Sequence, residues 1–250
     1  MKKRGKLRIG CSGWNYKHWR GPFYPEPMSS KKWLEYYSGF FDTVELNNTF
    51  YRLPSPSVFR EWQAQAPRSF LFSVKVNRYL THMKKLKNAR ASLSKFLSRA
   101  RLLKNHLGPL LYQLPPGWRL NLERLEDFLK LLPSDLQHVF EFRDSSWLNE
   151  QVFELLKKYH ASLCLHDMPG LEQMPRGVGP IGYVRFHGAA KKYQGGYPDA
   201  TLRKWWHWME KELRAGRDIY AYFNNDAEAH AVHDAQRLQE LGHLERPSAP

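Results

Sequence analysis

Short apolar runs alternate with longer amphipathic stretches along the whole chain. The short runs predict strands over 7–13, 43–47, 70–76, 109–114, 138–143, 162–166, 181–187 and 218–224. Between them, apolar residues recur at helical spacing and predict helices over about 31–38, 57–65, 89–104, 199–215 and 227–240. Two more helices are predicted to start near Asn121 and Glu150. Asp199 and Asp226 are placed to cap helix N-termini, and Pro56 suits a first turn, where its missing N–H costs nothing. The Pro/Gly-rich stretch 168–180 carries no helical period and reads as a loop.

Strands separated by helices imply a parallel sheet, because a parallel neighbour is reached only through a crossover. Eight such units within 250 residues fit a closed (β/α)8 TIM barrel of the α/β class. An open doubly wound sheet is the alternative, but no motif marks a nucleotide site at a switch point. The expected organisation is one barrel domain over 7–243, a basic tail over 1–6 and a C-terminal tail over 244–250.

A buried parallel strand is expected to be almost wholly apolar. Here most strands carry polar groups near their C-terminal ends, and side chains two apart share a face. These groups are Glu45 and Asn47, Lys75, Gln113, Glu141 and Arg143, His166, Arg185 and His187, and Tyr222 and Asn224. In a barrel they converge on one polar, charged mouth, the end where such folds keep their sites. Part of the set must be paired, since buried charges require partners; Glu45 with Lys75, and Glu141 with Arg143 or Arg185, are the expected pairs. Clustered ionisable groups in one concavity nevertheless point to function. Loop aromatics Trp14, Tyr16, Trp19, Tyr24, Tyr51, Trp118 and Trp147 are expected around the same mouth, where they would stack on a base or sugar ring.

Charge adds a regional asymmetry. Lys and Arg number 39 against 24 Asp and Glu, a formal net charge of +15. No acidic residue lies between Glu61 and Glu123, an interval holding 12 basic ones, among them Lys84, Lys85, Lys87 and Arg90. A solvated helix face and a polyanion-binding face both account for this run. No apolar run approaches the length needed to cross a bilayer, and no helix pairs this charge with an exposed apolar face, so no membrane partner is expected. The basic start has no signal-peptide core, and two cysteines, Cys11 and Cys164, are too few to staple a secreted domain; a cytoplasmic setting is expected.

Several motifs spell a function without fitting it. Gly177-Val-Gly-Pro-Ile-Gly182 matches G-x-G-x-x-G but precedes a strand and contains Pro180, so it is not a dinucleotide loop. Asn47-Asn-Thr49 is a glycosylation sequon placed at a strand end. No phosphate-loop lysine, H-E-x-x-H or nucleophile elbow is present.

Gly10-Cys-Ser-Gly-Trp14 with Tyr16, Trp19, Gly21 and Phe23-Tyr-Pro25 resembles the opening of the YecE-like family, domain of unknown function 72. So do Val44-Glu-Leu-Asn47 with Thr49-Phe-Tyr51 and Pro54, and Lys75 followed by Thr81-His82. Gln113-Leu-Pro-Pro116, Glu141-Phe-Arg143 with Ser146-Trp147, Arg185-Phe-His-Gly188, Gly196-Tyr197, and Tyr220 with Tyr222-Phe-Asn-Asn225-Asp226 continue the match in order. His166-Asp167-Met-Pro169 keeps the family's Asp and Pro. The resemblance covers nearly the whole chain and implies a TIM barrel; it implies no activity, since the family is named for lacking one.

From the residues themselves, the leading expectation is a site for a phosphate-containing ligand, nucleic acid included, that is bound and then hydrolysed or rearranged. Lys75, Arg143 and Arg185 would clamp the anion, with a guanidinium fork matching phosphate geometry. Glu45 or Glu141 would act as general base and His187 as general acid or base. Asn47, Gln113, Trp14, Tyr51, Trp147, Tyr222 and Asn224 would line the ligand. Three alternatives stay open. A glycosidase would use Glu45 and Glu141 as its carboxyl pair. A hydrolase would hold a divalent metal through Glu141, His166 and His187, with Asp167 nearby, although no motif indicates a cofactor. A non-enzymatic nucleic-acid binder would use the outer basic face.

Overall fold

The structure is a computed structural model that describes residues 3–167, 175–188 and 195–244. Its strands are β1 (Leu7–Cys11), β2 (Thr43–Leu46), β3 (Leu71–Lys75), β4 (Leu107–Gln113), β5 (His138–Glu141), β6 (Ala161–Asp167), β7 (Gly182–Phe186) and β8 (Ile219–Phe223). They form one parallel sheet in the order β1-β8-β7-β6-β5-β4-β3-β2, curled into a nearly closed barrel. The helices around it are α1 (Trp33–Ser38), α2 (Asn48–Tyr51), α3 (Pro56–Gln65), α4 (Arg90–Ala100), α5 (Leu122–Leu129), α6 (Glu150–Lys158), α7 (Asp199–Arg214) and α8 (His230–Leu244). This is the (β/α)8 architecture that the alternation predicts. Among the described residues, no helix is long and apolar enough to cross a membrane.

Local chemistry places the helix starts. Pro56 occupies the first turn of α3. Asn121 and Asn149 cap α5 and α6 by accepting from Arg124 N–H at 2.8 Å and Val152 N–H at 3.1 Å. The two aspartates behave otherwise than expected. Asp199 is the first residue inside α7, with Pro198 at the cap position. Asp226 precedes only a 3-10 turn and makes no side-chain capping bond. The helix predicted over 89–104 is shorter: it passes into a 3-10 segment, Arg101–His106, within which Lys104 takes φ 52°. Of the loop predicted over 168–180, residues 168–174 lie outside the described residues, as do 245–250 of the C-terminal tail. At the other end Gly5 N–H donates to Leu213 O in the last turn of α7, and Lys6 N–H donates to Asp218 just before β8.

Strand parity divides the molecule into two apolar regions. Phe72, Val74, Phe140, Val184 and Phe186 face outward into a core shared with the helices. A smaller cluster of Leu111, Val139, Cys164, Tyr183, Tyr220 and Tyr222 fills the barrel interior below the mouth. Packed layers of this kind make the barrel a solid core rather than a pore.

The sheet's two ends, β1 and β2, meet without a backbone ladder between them. Side chains join them instead. Tyr37 on α1 accepts from Cys11 N–H at 2.8 Å and donates to Thr43 O at 3.1 Å. Asn47 Nδ2 donates to Ser12 O at 3.0 Å. Gly10 permits the approach, since a Cβ there would lie 2.2 Å from Thr43 O.

Candidate functional site

The interior rises from apolar to charged. Above the aromatic plug, Arg185 on β7 spans the barrel between two carboxylates. Its Nη2 meets Glu45 Oε1 at 2.8 Å, its Nε meets Glu45 Oε2 at 3.0 Å, and its Nη1 meets Glu141 Oε2 at 2.8 Å. Glu45 also accepts from Ser12 Oγ at 2.7 Å and from Tyr183 OH at 2.6 Å. Arg143 pairs with the other oxygen of Glu141. Burial works against the Arg185 charge, but Glu45 and Glu141 override it and hold the guanidinium well above the ordinary arginine value. Burial likewise pushes Glu141 toward protonation, and Arg143 and Arg185 override that, keeping it well below the usual carboxylate range. The bridge is therefore Glu–Arg–Glu, and Glu141 is a weak base.

This corrects one expected pairing. Glu45 pairs with Arg185 rather than Lys75, because a guanidinium fork reaches two carboxylates at once. Arg185 is buried and gives its guanidinium to both carboxylates of that bridge. Burial lowers His187 to about 3, which favours the neutral imidazole at physiological pH. Its Nε2 accepts from Arg143 Nη2 at 2.9 Å, and Asn224 lies 3.2 Å from its Nδ1.

Lys75 stands apart. Only 9 % exposed, it makes no side-chain hydrogen bond or ion pair among the described residues. Its Nζ lies 4.2 Å from the centre of the Phe50 ring, and the Phe50 ring meets His82 edge-on at 4.9 Å. Burial and the nearby Arg185 bring the Lys75 ammonium down to about 7, against the pull of Glu141 and Glu45. Burial and Lys75 together bring His82 down to about 4. The pairing Leu46↔Val74 between β2 and β3 puts Asn47 beside Lys75, and β4 carries Gln113 on the other side. The side-chain oxygens of Asn47 and Gln113 are both buried and accept no hydrogen bond.

Other expected lining residues go elsewhere. Trp14 packs on Trp62 and Phe72 in the helix layer, because Phe72 points outward from β3. Trp147 is fully buried, stacks on outward-facing Phe142 and donates to Trp118 O. Tyr16, Trp19 and Tyr24 pack together beneath the first loop. Tyr222 is sealed in the plug, its hydroxyl 2.7 Å from Thr43 Oγ1. Tyr51 is 72 % exposed and lines a groove of about 380 Å³ with Phe50, Arg78, Tyr79 and Lys95.

Sequence reasoning passed over Ser12 and Tyr183, which hold Glu45. Tyr183 lies two residues before Arg185 and therefore on the same strand face, a signal that was readable. Asp167, expected as a family residue and as a neighbour of a metal, has a different partner. It accepts from Tyr197 OH at 2.6 Å, and burial raises it to about 6. The metal alternative finds no support: among the described residues no group of three or more His, Cys, Asp or Glu side chains is arranged to hold an ion. Glu141 is instead occupied by two guanidinium groups.

A parallel (β/α)8 barrel with a Glu–Arg–Glu bridge across its interior and an isolated lysine above it defines the class of protein. The family described as protein of unknown function DUF72 matches residues 8–250, and the chain belongs to that family. It is 25% identical over 272 residues to UPF0759 protein YunF of Bacillus subtilis, an alignment covering 96% of this chain and 95% of YunF. It is 34% identical to UPF0759 protein YecE of Escherichia coli over 112 residues, 44% of this chain and 41% of YecE. The crystal structure of a DUF72 family protein from Thermotoga maritima superposes with a TM-score of 0.87 at 26% identity, covering 95% of this chain and 99% of that one. A xylose isomerase-like TIM barrel/4-hydroxyphenylpyruvate dioxygenase fusion protein, 16% identical with a TM-score of 0.51, shares the fold alone and matches over 45% of its own length.

Proposed function

We propose that the barrel mouth binds and transforms a small phosphate-containing ligand, with Lys75 as its charge partner. The observation that carries this reading is the isolation of Lys75. Both carboxylates that act on it, Glu45 and Glu141, are already held by arginines. With both carboxylates shared with guanidinium groups, a protonated Lys75 has no carboxylate of its own among the described residues. An anionic group brought to this ammonium would supply the missing negative charge in a site shielded from water, where such a contact is strong.

The test is calorimetric titration with glycerol 3-phosphate of the wild type and Lys75→Met. The wild type is expected to bind, and the variant to lose about tenfold or more, as for a hydrogen bond to a charged group. Binding at pH 8 is also expected to take up a proton, because the anion raises the Lys75 pKa from about 7. Absence of binding, or equal binding by both proteins, would overturn the reading.

A second reading rests on a separate observation. Beside Phe50, the exposed side chains Tyr51, Tyr79 and Met83 stand with Arg78 and Lys95 around one groove. Aromatics interleaved with cations suit a stacked single strand. A glycosidase is not proposed, since Arg185 holds both Glu45 and Glu141, the carboxyl pair such an enzyme would use.

A further inference from the structure

We infer that the ε-amino group of Lys75 is a nucleophile that forms a Schiff base with an anionic hydroxy-aldehyde or hydroxy-ketone bound at the barrel mouth. The inference rests on the anionic-ligand reading and adds the reacting group and the substrate class. It starts from geometry. A lysine at the C-terminal end of a barrel strand normally meets a carboxylate, which would hold it as an unreactive ammonium. Here each charged group facing Lys75 is committed elsewhere: Glu45 on β2 to Arg185, Glu141 on β5 to Arg143 and Arg185. His82, on the turn after β3, lies close enough for the two charges to oppose each other and is bonded to Thr81 Oγ1 at 2.9 Å. The Phe50 ring covers Nζ from α2. Burial beside two arginines is the environment that leaves a lysine amine neutral near physiological pH, the form that attacks carbonyls.

The flanking residues point to the rest of the ligand. Asn47, just past the end of β2, and Gln113 on β4, two residues beyond the Leu111 that pairs with Lys75, present buried side-chain oxygens that accept nothing. Buried acceptors of this kind call for donors, and hydroxyl groups next to a carbonyl would provide them. Asn47 is fixed in this orientation because its Nδ2 is already donated to Ser12 O.

The chemistry balances without an oxidant or metal. The Nζ lone pair adds to the carbonyl carbon, forming the C–N bond, and one amine proton passes to the carbonyl oxygen. The resulting hydroxyl leaves as water after taking a proton from solvent, and the nitrogen lone pair closes the C=N bond as an iminium. That iminium carries one positive charge, which offsets the anionic group of the ligand. Iminium formation thus turns the neutral amine into a cation, and the anion that the substrate brings offsets the new charge.

The experiment treats the wild-type protein at pH 7 with pyridoxal 5′-phosphate or with pyridoxal, reduces with borohydride and maps the labelled peptides. Glycerol 3-phosphate binding is measured in parallel. An adduct on Lys75 is expected to form about tenfold faster than on exposed Lys85 or Lys87. The phosphate-bearing aldehyde is expected to outpace pyridoxal. Equal labelling of Lys75 by both aldehydes would support the nucleophile and overturn the anionic reading. Binding of glycerol 3-phosphate without an adduct on Lys75 would overturn the nucleophile and leave the anionic reading standing. Labelling confined to exposed lysines, with no binding, would overturn both.

Discussion

At the top of β3 an ammonium sits over an aromatic ring with no carboxylate of its own, and this makes the stability of the fold depend on pH in an unusual direction. Native Lys75 releases its proton at about 7, against an ordinary value of 10.5. Between those values the unfolded chain binds the extra proton, so stability rises as pH climbs through the window. Below about pH 7 the full cost of burying the charge is present. Lys75→Met is therefore expected to stabilise the protein at pH 6, by at most about 5 kcal/mol at ~1.4 kcal/mol per tenfold change in proton affinity. The gain should fade toward pH 10 in denaturant titrations. A gain of the same size at pH 6 and pH 10 would show that the lysine is not buried as a strained cation. Arg185 behaves oppositely. Arg185→Met leaves Glu45 and Glu141 buried without a partner and is expected to cost about 3–5 kcal/mol. Adding Glu45→Gln and Glu141→Gln should recover much of the loss, and the denaturation midpoint measures both steps. These two residues also mark how far side-chain partners could be foreseen. The strand positions and the inward face of Glu45, Lys75, Glu141 and Arg185 follow from alternation alone. Which cation reaches which carboxylate depends on register and reach, and there a forked guanidinium displaced the expected lysine.

At the scale of elements, the eight strands and their crossovers were legible because each strand is a compact apolar run and each main helix has an amphipathic period. The short α2 and the single π-helical turn at Tyr79–Met83 were not, since segments of four and five residues carry too few positions to show a period. Aromatic residues misled for a related reason. Trp14 and Trp147 lie in loops after strands, as mouth residues do, yet they fold back onto Phe72 and Phe142, which point away from the interior. The seam between β1 and β2 was invisible in the pattern, because a side chain there does the work of a ladder. Tyr37→Phe removes both bonds of its hydroxyl and leaves Cys11 N–H buried without an acceptor. A loss of about 2 kcal/mol is expected. Amide exchange at Cys11 should accelerate ahead of the remaining strands. Unchanged protection there would mean that the Tyr37 hydroxyl does not hold the seam.

For the whole molecule, the charge distribution is a property separate from the mouth. Lys75 is buried, but most of the other basic side chains between Glu61 and Glu123 are exposed, including Arg68, Arg78, Lys85, Lys87, Arg90 and Lys95. Of these groups, Arg101 finds an acidic partner in Asp135. If the groove and this face bind a single strand, affinity for short single-stranded DNA should fall steeply with salt. Replacing Lys85, Lys87 and Arg90 by Gln should then reduce the slope of log affinity against log salt by about 2, at roughly 0.7 per charge. Lys75→Met should leave that slope unchanged. An unaltered slope in the triple variant would assign this positive face to solvation.

The stitched seam carries one more consequence. Seven strand junctions resist lateral separation through backbone bonds; the eighth resists through a tyrosine hydroxyl, a hydroxyl on Glu45 and an asparagine that also borders the candidate site. In mechanical terms the barrel is a hoop with a clasp, and the clasp sits beside the opening. A guest that bonded to Asn47 would brace the hoop at this seam. Occupancy of the mouth would then be coupled to resistance against unrolling, and a small ligand would set how readily the sheet comes apart between its first strand and its second.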